Sequence, residues 1–225
     1  MHLDVDDGTD AADAPQQVEA LEGVVVVFGC CEPGGAVFLR RYDPDGAVVW
    51  TTPIAGLATP FNSTMGLDVD ADGGIHAAWI TAAKALWLGE FTADGDEVWT
   101  AVVDDPELAG VYPRGLGVTP QGKRVVVGSR ALMNSEDAFY GVFDAGTLSW
   151  SETVSGTYTA GNDAFEDVAI DSRGLALIAG RRHQTGGVQG THEAFVRLFA
   201  PSPGTCPRGH PSRPEARPAP HCWKQ

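Results

Sequence analysis

Three tryptophans stand in one local context at nearly equal spacing, and this periodicity restricts the fold more than any other feature of the chain. They end the segments Asp45-Gly46-Ala47-Val48-Val49-Trp50, Asp94-Gly95-Asp96-Glu97-Val98-Trp99 and Ala145-Gly146-Thr147-Leu148-Ser149-Trp150, at intervals of 49 and 51 residues. Each has a glycine four residues before the tryptophan. A second set of landmarks, Gly23, Gly73, Gly122 and Gly174, opens apolar stretches at intervals of 50, 49 and 52. Three of those stretches close on a glycine six residues later (Gly29, Gly128, Gly180), and Trp79 takes that place in the second unit. Two independent landmarks with one period define a repeat of about fifty residues.

Each unit reads as four short strands. The first alternates apolar and polar residues, as in Leu67-Asp68-Val69-Asp70, Leu116-Gly117-Val118-Thr119 and Val168-Ala169-Ile170-Asp171. The second is Val24–Phe28, Ile75–Ile80, Val125–Val127 and Leu175–Ala179, and the third is Val37–Tyr42, Ala85–Phe91, Ala138–Phe143 and Ala194–Phe199. A turn such as Asp43-Pro44-Asp45-Gly46 feeds the fourth strand, which is expected to end near the tryptophan. The opening strand of the first unit, around Gln17–Leu21, is out of register with the others. A four-stranded sheet cannot bury both faces alone, and radial stacking of copies solves this, so the expected fold is all-β. It is a β-propeller of about four blades of four antiparallel strands, incomplete or part of a larger propeller. The tryptophan ring is expected to pack between neighbouring blades. A β-solenoid and a sandwich are the alternatives.

The expected organisation is an acidic tether over 1–16, repeats over 17–204 (about 17–64, 65–113, 114–165 and 166–204) and a tail over 205–225. In the tail, residues 201–225 carry seven of the fifteen prolines and no Val, Ile, Leu, Met or Phe, so they cannot supply the fourth strand of the last unit. A shifted reading frame near residue 205 would account for this composition; a genuine basic tail is the other reading. A zinc site from Cys206, His210, His221 and Cys222 matches no common zinc spacing.

The pattern Gly-x-x-x-Val-x-Gly followed by Ala-Phe-x-x-x-Phe-Asp-x-Gly-x-x-x-Trp is carried by Gly122–Gly128, Ala138–Gly146 and Trp150. It resembles the bacterial β-propeller repeat family of exported proteins, over roughly residues 17–204. That resemblance implies an extracellular or cell-surface protein whose export signal would lie upstream of Met1, and it implies a scaffold without a stated activity. The turns also resemble the tryptophan-docking repeat of quinoprotein-type propellers, but the aspartate sits closer to the glycine here and no quinone-binding cluster is visible. Sialidase-type Asp-boxes place tryptophan three residues after glycine, not four.

The formal charge of −15 makes nucleic acid an unsuitable partner. The longest aliphatic-aromatic run, Val24–Phe28, is far too short to cross a membrane. Cys30, Cys31, Cys206 and Cys222 give no readable disulfide framework, and Cys30-Cys31 are expected in the loop after the second strand. No nucleophile elbow, phosphate loop or Cys-x-x-Cys pair is present.

Asp68-Val69-Asp70-Ala71-Asp72-Gly73 copies the first six positions of a calcium loop, making Asp68, Asp70 and Asp72 candidate calcium ligands. Its twelfth position is Trp79 where a bidentate acid is needed, and a solvated strand edge and turn is the competing reading. His183 and His192 flank a long loop and could share a metal, or simply border a polar loop. By propeller geometry, the loops between second and third strands and between blades line one face around the central channel. Their polar and aromatic members Asn62, Tyr112, Arg114, Asn134, Tyr158, Asn162 and Arg182 are the candidate ligand-binding residues. The function expected is a non-catalytic scaffold or binding module with a protein or carbohydrate ligand and no cofactor unless calcium. A propeller hydrolase or lyase with its site in the central funnel is the alternative. Exposed apolar end blades are further expected to favour self-association.

Overall fold

The computed structural model describes residues 14–21, 24–32, 36–55, 57, 65–81, 83–103, 105–132, 135–155, 162–183 and 192–201. Their secondary structure is antiparallel strand, apart from a 3-10 turn at Pro106–Leu108. The first sheet holds β1 (Ala14–Leu21), β2 (Val24–Glu32), β3 (Ala36–Tyr42) and β4 (Val48–Ile54). The second holds β5 (Gly66–Val69), β6 (Ile75–Ile80), β7 (Leu86–Phe91) and β8 (Glu97–Val102). The third holds β9 (Val111–Val118), β10 (Arg124–Ala131), β11 (Glu136–Asp144) and β12 (Thr147–Val154). The last holds β13 (Ala164–Ile170), β14 (Ala176–His183) and β15 (His192–Phe199). Each is a simple meander, and together they form a four-bladed β-propeller.

Several hairpin turns are each fixed by one side chain. Asp43 Oδ1 accepts the amides of Asp45 and Ala47, Asp70 Oδ1 those of Asp72 and Gly74, and Asp171 Oδ1 those of Arg173 and Leu175. Thr92 Oγ1 does the same for Asp94 and Asp96. The landmark glycines close these turns in the left-handed region, with φ of 87° at Gly46, 83° at Gly73, 84° at Gly95, 75° at Gly122 and 81° at Gly174. Asp43, Asp70 and Asp171 are thus acids that serve turn chemistry.

Packing follows the two-residue alternation of a strand. Val125 and Val127 join the core shared with the fourth blade, while Val126 between them joins the core shared with the second. Three inter-blade cores result. Phe28, Val37 and Leu39 face Trp79, Trp87 and Phe91; Ala78, Leu86 and Leu88 face Phe139 and Phe143; Tyr140 and Val142 face Phe165 and Ile178. Trp50, Trp99 and Trp150 each border one of these cores.

The tryptophans do not end their strands. Trp50 and Trp99 are the third residues of β4 and β8 and Trp150 the fourth of β12, and each outer strand runs on for three or four residues. Continuing the ladder keeps the third strand paired along its length. The opening strand of the first unit forms in full, and β1 begins at Ala14, inside the segment read as a tether. Cys30 and Cys31 lie on β2 rather than in a loop, because the β1–β2 and β2–β3 ladders extend past Phe28. The fourth blade has three strands among the described residues. The tail beyond Pro201 lies outside the described residues, with Cys206, His210, His221 and Cys222.

Candidate functional site

The innermost strands β1, β5, β9 and β13 stand side by side around the axis. Glycine permits this closeness. A Cβ on Gly66 would lie 2.7 Å from Leu116 Cβ, and one on Gly117 would lie 2.7 Å from Ile170 Cγ1. At the corresponding inner positions the other blades carry acids. The ladders place Glu19 opposite Val26 and Asp68 opposite His76, which are equivalent places in two blades. Asp167, opposite Ala179, takes the place that Gly66 and Gly115 hold in blades two and three.

These three carboxyls form one electrostatic group. Burial, together with the negative charges of Asp68 and Asp167, pushes the Glu19 carboxyl up to about 6. Asp68 is also raised, by burial, against the pull of its hydrogen bonds from the Val118 and Val69 amides. Asp167 Oδ1 accepts its neighbouring amide, from Val168 at 2.8 Å, and the residue is exposed.

A bulge recurs beside this group. The register slips between Pro15 and Gln17 in β1, between the partners of Val127 and Gly128 in β9, and between Phe165 and Asp167 in β13. The extra residues are Gln16, Arg114 and Glu166, and bulges of this kind re-aim side chains near functional rims. Arg114 Nη1 lies 3.3 Å from Glu166 Oε2, and its Nη2 lies 3.7 Å from Glu136 Oε2. Arg181 Nε closes on Glu166 Oε1 at 3.0 Å, and the buried Ser129 hydroxyl donates to Glu136 at 2.8 Å. The rim is thus a chain of alternating charges linking blades three and four.

Among the residues singled out from sequence, Arg114 belongs to this rim. Arg182 lies near the end of β14, paired with Glu193 at 2.8 Å. Asn162 is exposed and bridges to Glu136 through the backbone. Tyr112 is a packing residue, set against the core between blades one and two. Asn62, Asn134 and Tyr158 lie outside the described residues. His183 and His192 are direct partners across β14 and β15.

The calcium-like segment has another use. Asp70 Oδ1 holds its own turn, and Asp70 Oδ2 meets His76 Nε2 at 2.8 Å. Burial works to raise Asp70, but the His76 ring and the Gly74 and Asp72 amides outweigh it and hold the carboxyl below its usual value. Asp68 is taken up by the amides of Val69 and Val118. Among the described residues no group of three or more His, Cys, Asp or Glu is placed to hold a metal ion.

Sequence reasoning missed Glu19, Asp167, Glu136 and Glu166. For Glu19 and Asp167 the signal available was an acid at an inner-strand position where other units carry glycine or alanine.

No family model and no curated protein matches the chain. Solved structures do match in fold. An assigned exo-β-1,3-galactanase of Bifidobacterium bifidum s17 superposes with a TM-score of 0.52 at 18% identity, covering 86% of this chain and 71% of that one. Hydrazine synthase of Kuenenia stuttgartiensis gives 0.51 at 11% identity over 78% of this chain and 47% of that one. A bifunctional GH43-CE protein of Bacteroides eggerthii gives 0.50 at 15% identity over 89% and 29%. The neighbours are propellers. At these identities the likeness concerns fold alone, and this chain spans about half the length of the hydrazine synthase chain and under a third of the GH43-CE chain.

Proposed function

We propose that this propeller is a binding module of an exported bacterial protein and takes a carbohydrate at the mouth of its central channel. The observation that carries the reading is the grouping of Glu19, Asp68 and Asp167 from the inner strands of three blades, beside the Arg114–Glu166 rim pair. Spaced carboxylates accept hydrogen bonds from hydroxyl groups, and such charge-assisted bonds are about twice as strong as neutral ones. The galactanase likeness in fold supports choosing β-1,3-linked galacto-oligosaccharides as the first ligands to try. Calorimetric titration should detect binding, and Glu19→Gln or Asp167→Asn should weaken it by about tenfold or more. A protein that ignores all oligosaccharides tried at millimolar concentration would sink the proposal.

One observation favours a second reading, hydrolysis at the same place. A carboxyl raised to about 6 beside two further carboxyls is the kind of grouping in which one acid protonates a glycosidic oxygen while another activates water. Glu19 would be the proton donor and Asp167 the base. Release of reducing sugar that Glu19→Gln abolishes, with oligosaccharide binding retained, would establish this reading over simple binding. Binding without turnover by the unmodified chain would reject it.

A further inference from the structure

Arg114 and Arg197 both join blade three to blade four, and they are held in different ways. Arg197 on β15 grips both oxygens of Glu152 on β12, at 2.8 and 3.1 Å, and lies over the Tyr140 ring at 5.1 Å. Arg114, at the β9 bulge, meets Glu166 at 3.3 Å and Glu136 at 3.7 Å, the second beyond hydrogen-bond reach. Its Nε is buried and has no hydrogen-bond partner among the described residues. Both carboxylates that Arg114 faces have another donor. The Ser129 hydroxyl serves Glu136 at 2.8 Å, and Arg181 Nε lies 3.0 Å from the other oxygen of Glu166. Arg114 can therefore turn away without stranding either acid, and a stranded acid is the main cost of breaking such a pair.

We infer that Arg114 is the hydrogen-bond donor of the channel mouth, turning from Glu136 and Glu166 to neighbouring oxygens of an uncharged sugar. The role presupposes that the mouth binds carbohydrate, and it supplies what the axis group does not. Ionised Glu19, Asp68 and Asp167 accept hydrogen bonds and give none, whereas the ring and hydroxyl oxygens of a sugar also need donors. The planar fork of a guanidinium suits two oxygens side by side. The sugar is uncharged because an anionic one would be set against the axis carboxyls of a chain whose net charge is −15.

Arg114→Gln, measured with and without sugar, tests the role. Calorimetric titration with β-1,3-linked galacto-oligosaccharides should show affinity falling about tenfold or more, as for lost bonds from a charged donor. Arg114→Lys keeps the charge but not the fork and should recover only part of the loss. Without sugar, both variants should melt within about 3 °C of the unmodified protein, since the two acids keep their other donors. Oligogalacturonides should bind the unmodified protein more weakly than the neutral sugars. A strut between blades would instead lower the melting temperature and leave affinity alone, and that result overturns the role. So does tighter binding of oligogalacturonides. Equal affinity of Arg114→Gln and the unmodified chain overturns the role while carbohydrate binding stands; no binding by the unmodified chain overturns both.

Discussion

The Asp68 carboxylate on β5 accepts the backbone amide of Val118 on β9, 50 residues later, at 2.6 Å. One side chain thereby ties the inner strand of the second blade to that of the third. Asp68→Ala leaves this amide without its acceptor and should cost about 1–3 kcal/mol. Asp68→Asn keeps an acceptor oxygen and should recover part of the loss. Urea denaturation midpoints would check both; equal stability of all three proteins would show that the bond contributes nothing.

Two glycines owe their place to a neighbouring carbonyl. A Cβ on Gly128 would fall 2.0 Å from the Tyr112 carbonyl oxygen, and one on Gly180 would fall 2.2 Å from that of Ala164. Both oxygens sit beside the inner-strand bulges, so backbone would have to move. Gly128→Ala and Gly180→Ala should each cost about 3 kcal/mol or more. Gly122→Ala meets nothing within 4 Å but is held at φ +75°, and should cost only about 1 kcal/mol. Thermal melts should rank Gly122→Ala well above the other two.

Glu19 gives a pH dependence whose sign is fixed. Its folded value of about 6 exceeds the ordinary 4.5, so the folded chain binds the proton more tightly than the unfolded one. Stability from this group is fully present below pH 4.5 and is lost as pH rises through about 6. Glu19→Gln should flatten the stability profile in that window. An unchanged slope in the variant would assign the titration elsewhere.

Trp150 is held by rings on both sides of a blade interface, with Tyr140 at 5.3 Å and Phe199 at 5.6 Å between centroids. Trp150→Ala should cost about 3 kcal/mol, the lower end of the range for buried aromatics, because the ring is partly exposed. Trp150→Phe keeps a ring and should cost less than half of that by the same scale. Guanidinium unfolding followed by circular dichroism would measure both.

The glycine four residues before each tryptophan shows how far the repeat was legible. Its period was plain in the sequence, but its partner was not. A Cβ on Gly95 would lie 2.9 Å from Trp50 Cδ2, and one on Gly146 would lie 2.5 Å from Ala101 Cβ and 3.9 Å from Trp99 Cζ3. Each glycine thus seats the tryptophan side of the preceding blade, so the Gly-x-x-x-Trp motif links units instead of serving one hairpin. Trp50 Nε1 also donates to Ala93 of that next turn at 3.1 Å. Local pattern reports a strand and its turn; it does not report which residue 43 positions away touches it.

The site was less legible for a related reason. Arg114 was recognisable as a polar residue at a blade junction, whereas its partner Glu166 lies 52 positions on, at the matching bulge. Asp68, Asp70 and Asp72 resembled a metal loop because turn-forming and cation-binding sequences favour the same small acids and glycine.

By itself the sequence determined the unit: its length, its four strands, its turn residues and the alternation that gives each sheet two apolar faces. These follow from backbone sterics and side-chain periodicity, which act within a few residues. Only the tertiary structure decided which acids gather at the axis and which salt bridges span the rim. Those depend on how one blade is set against the next, and that relation is fixed by contacts between residues about fifty positions apart.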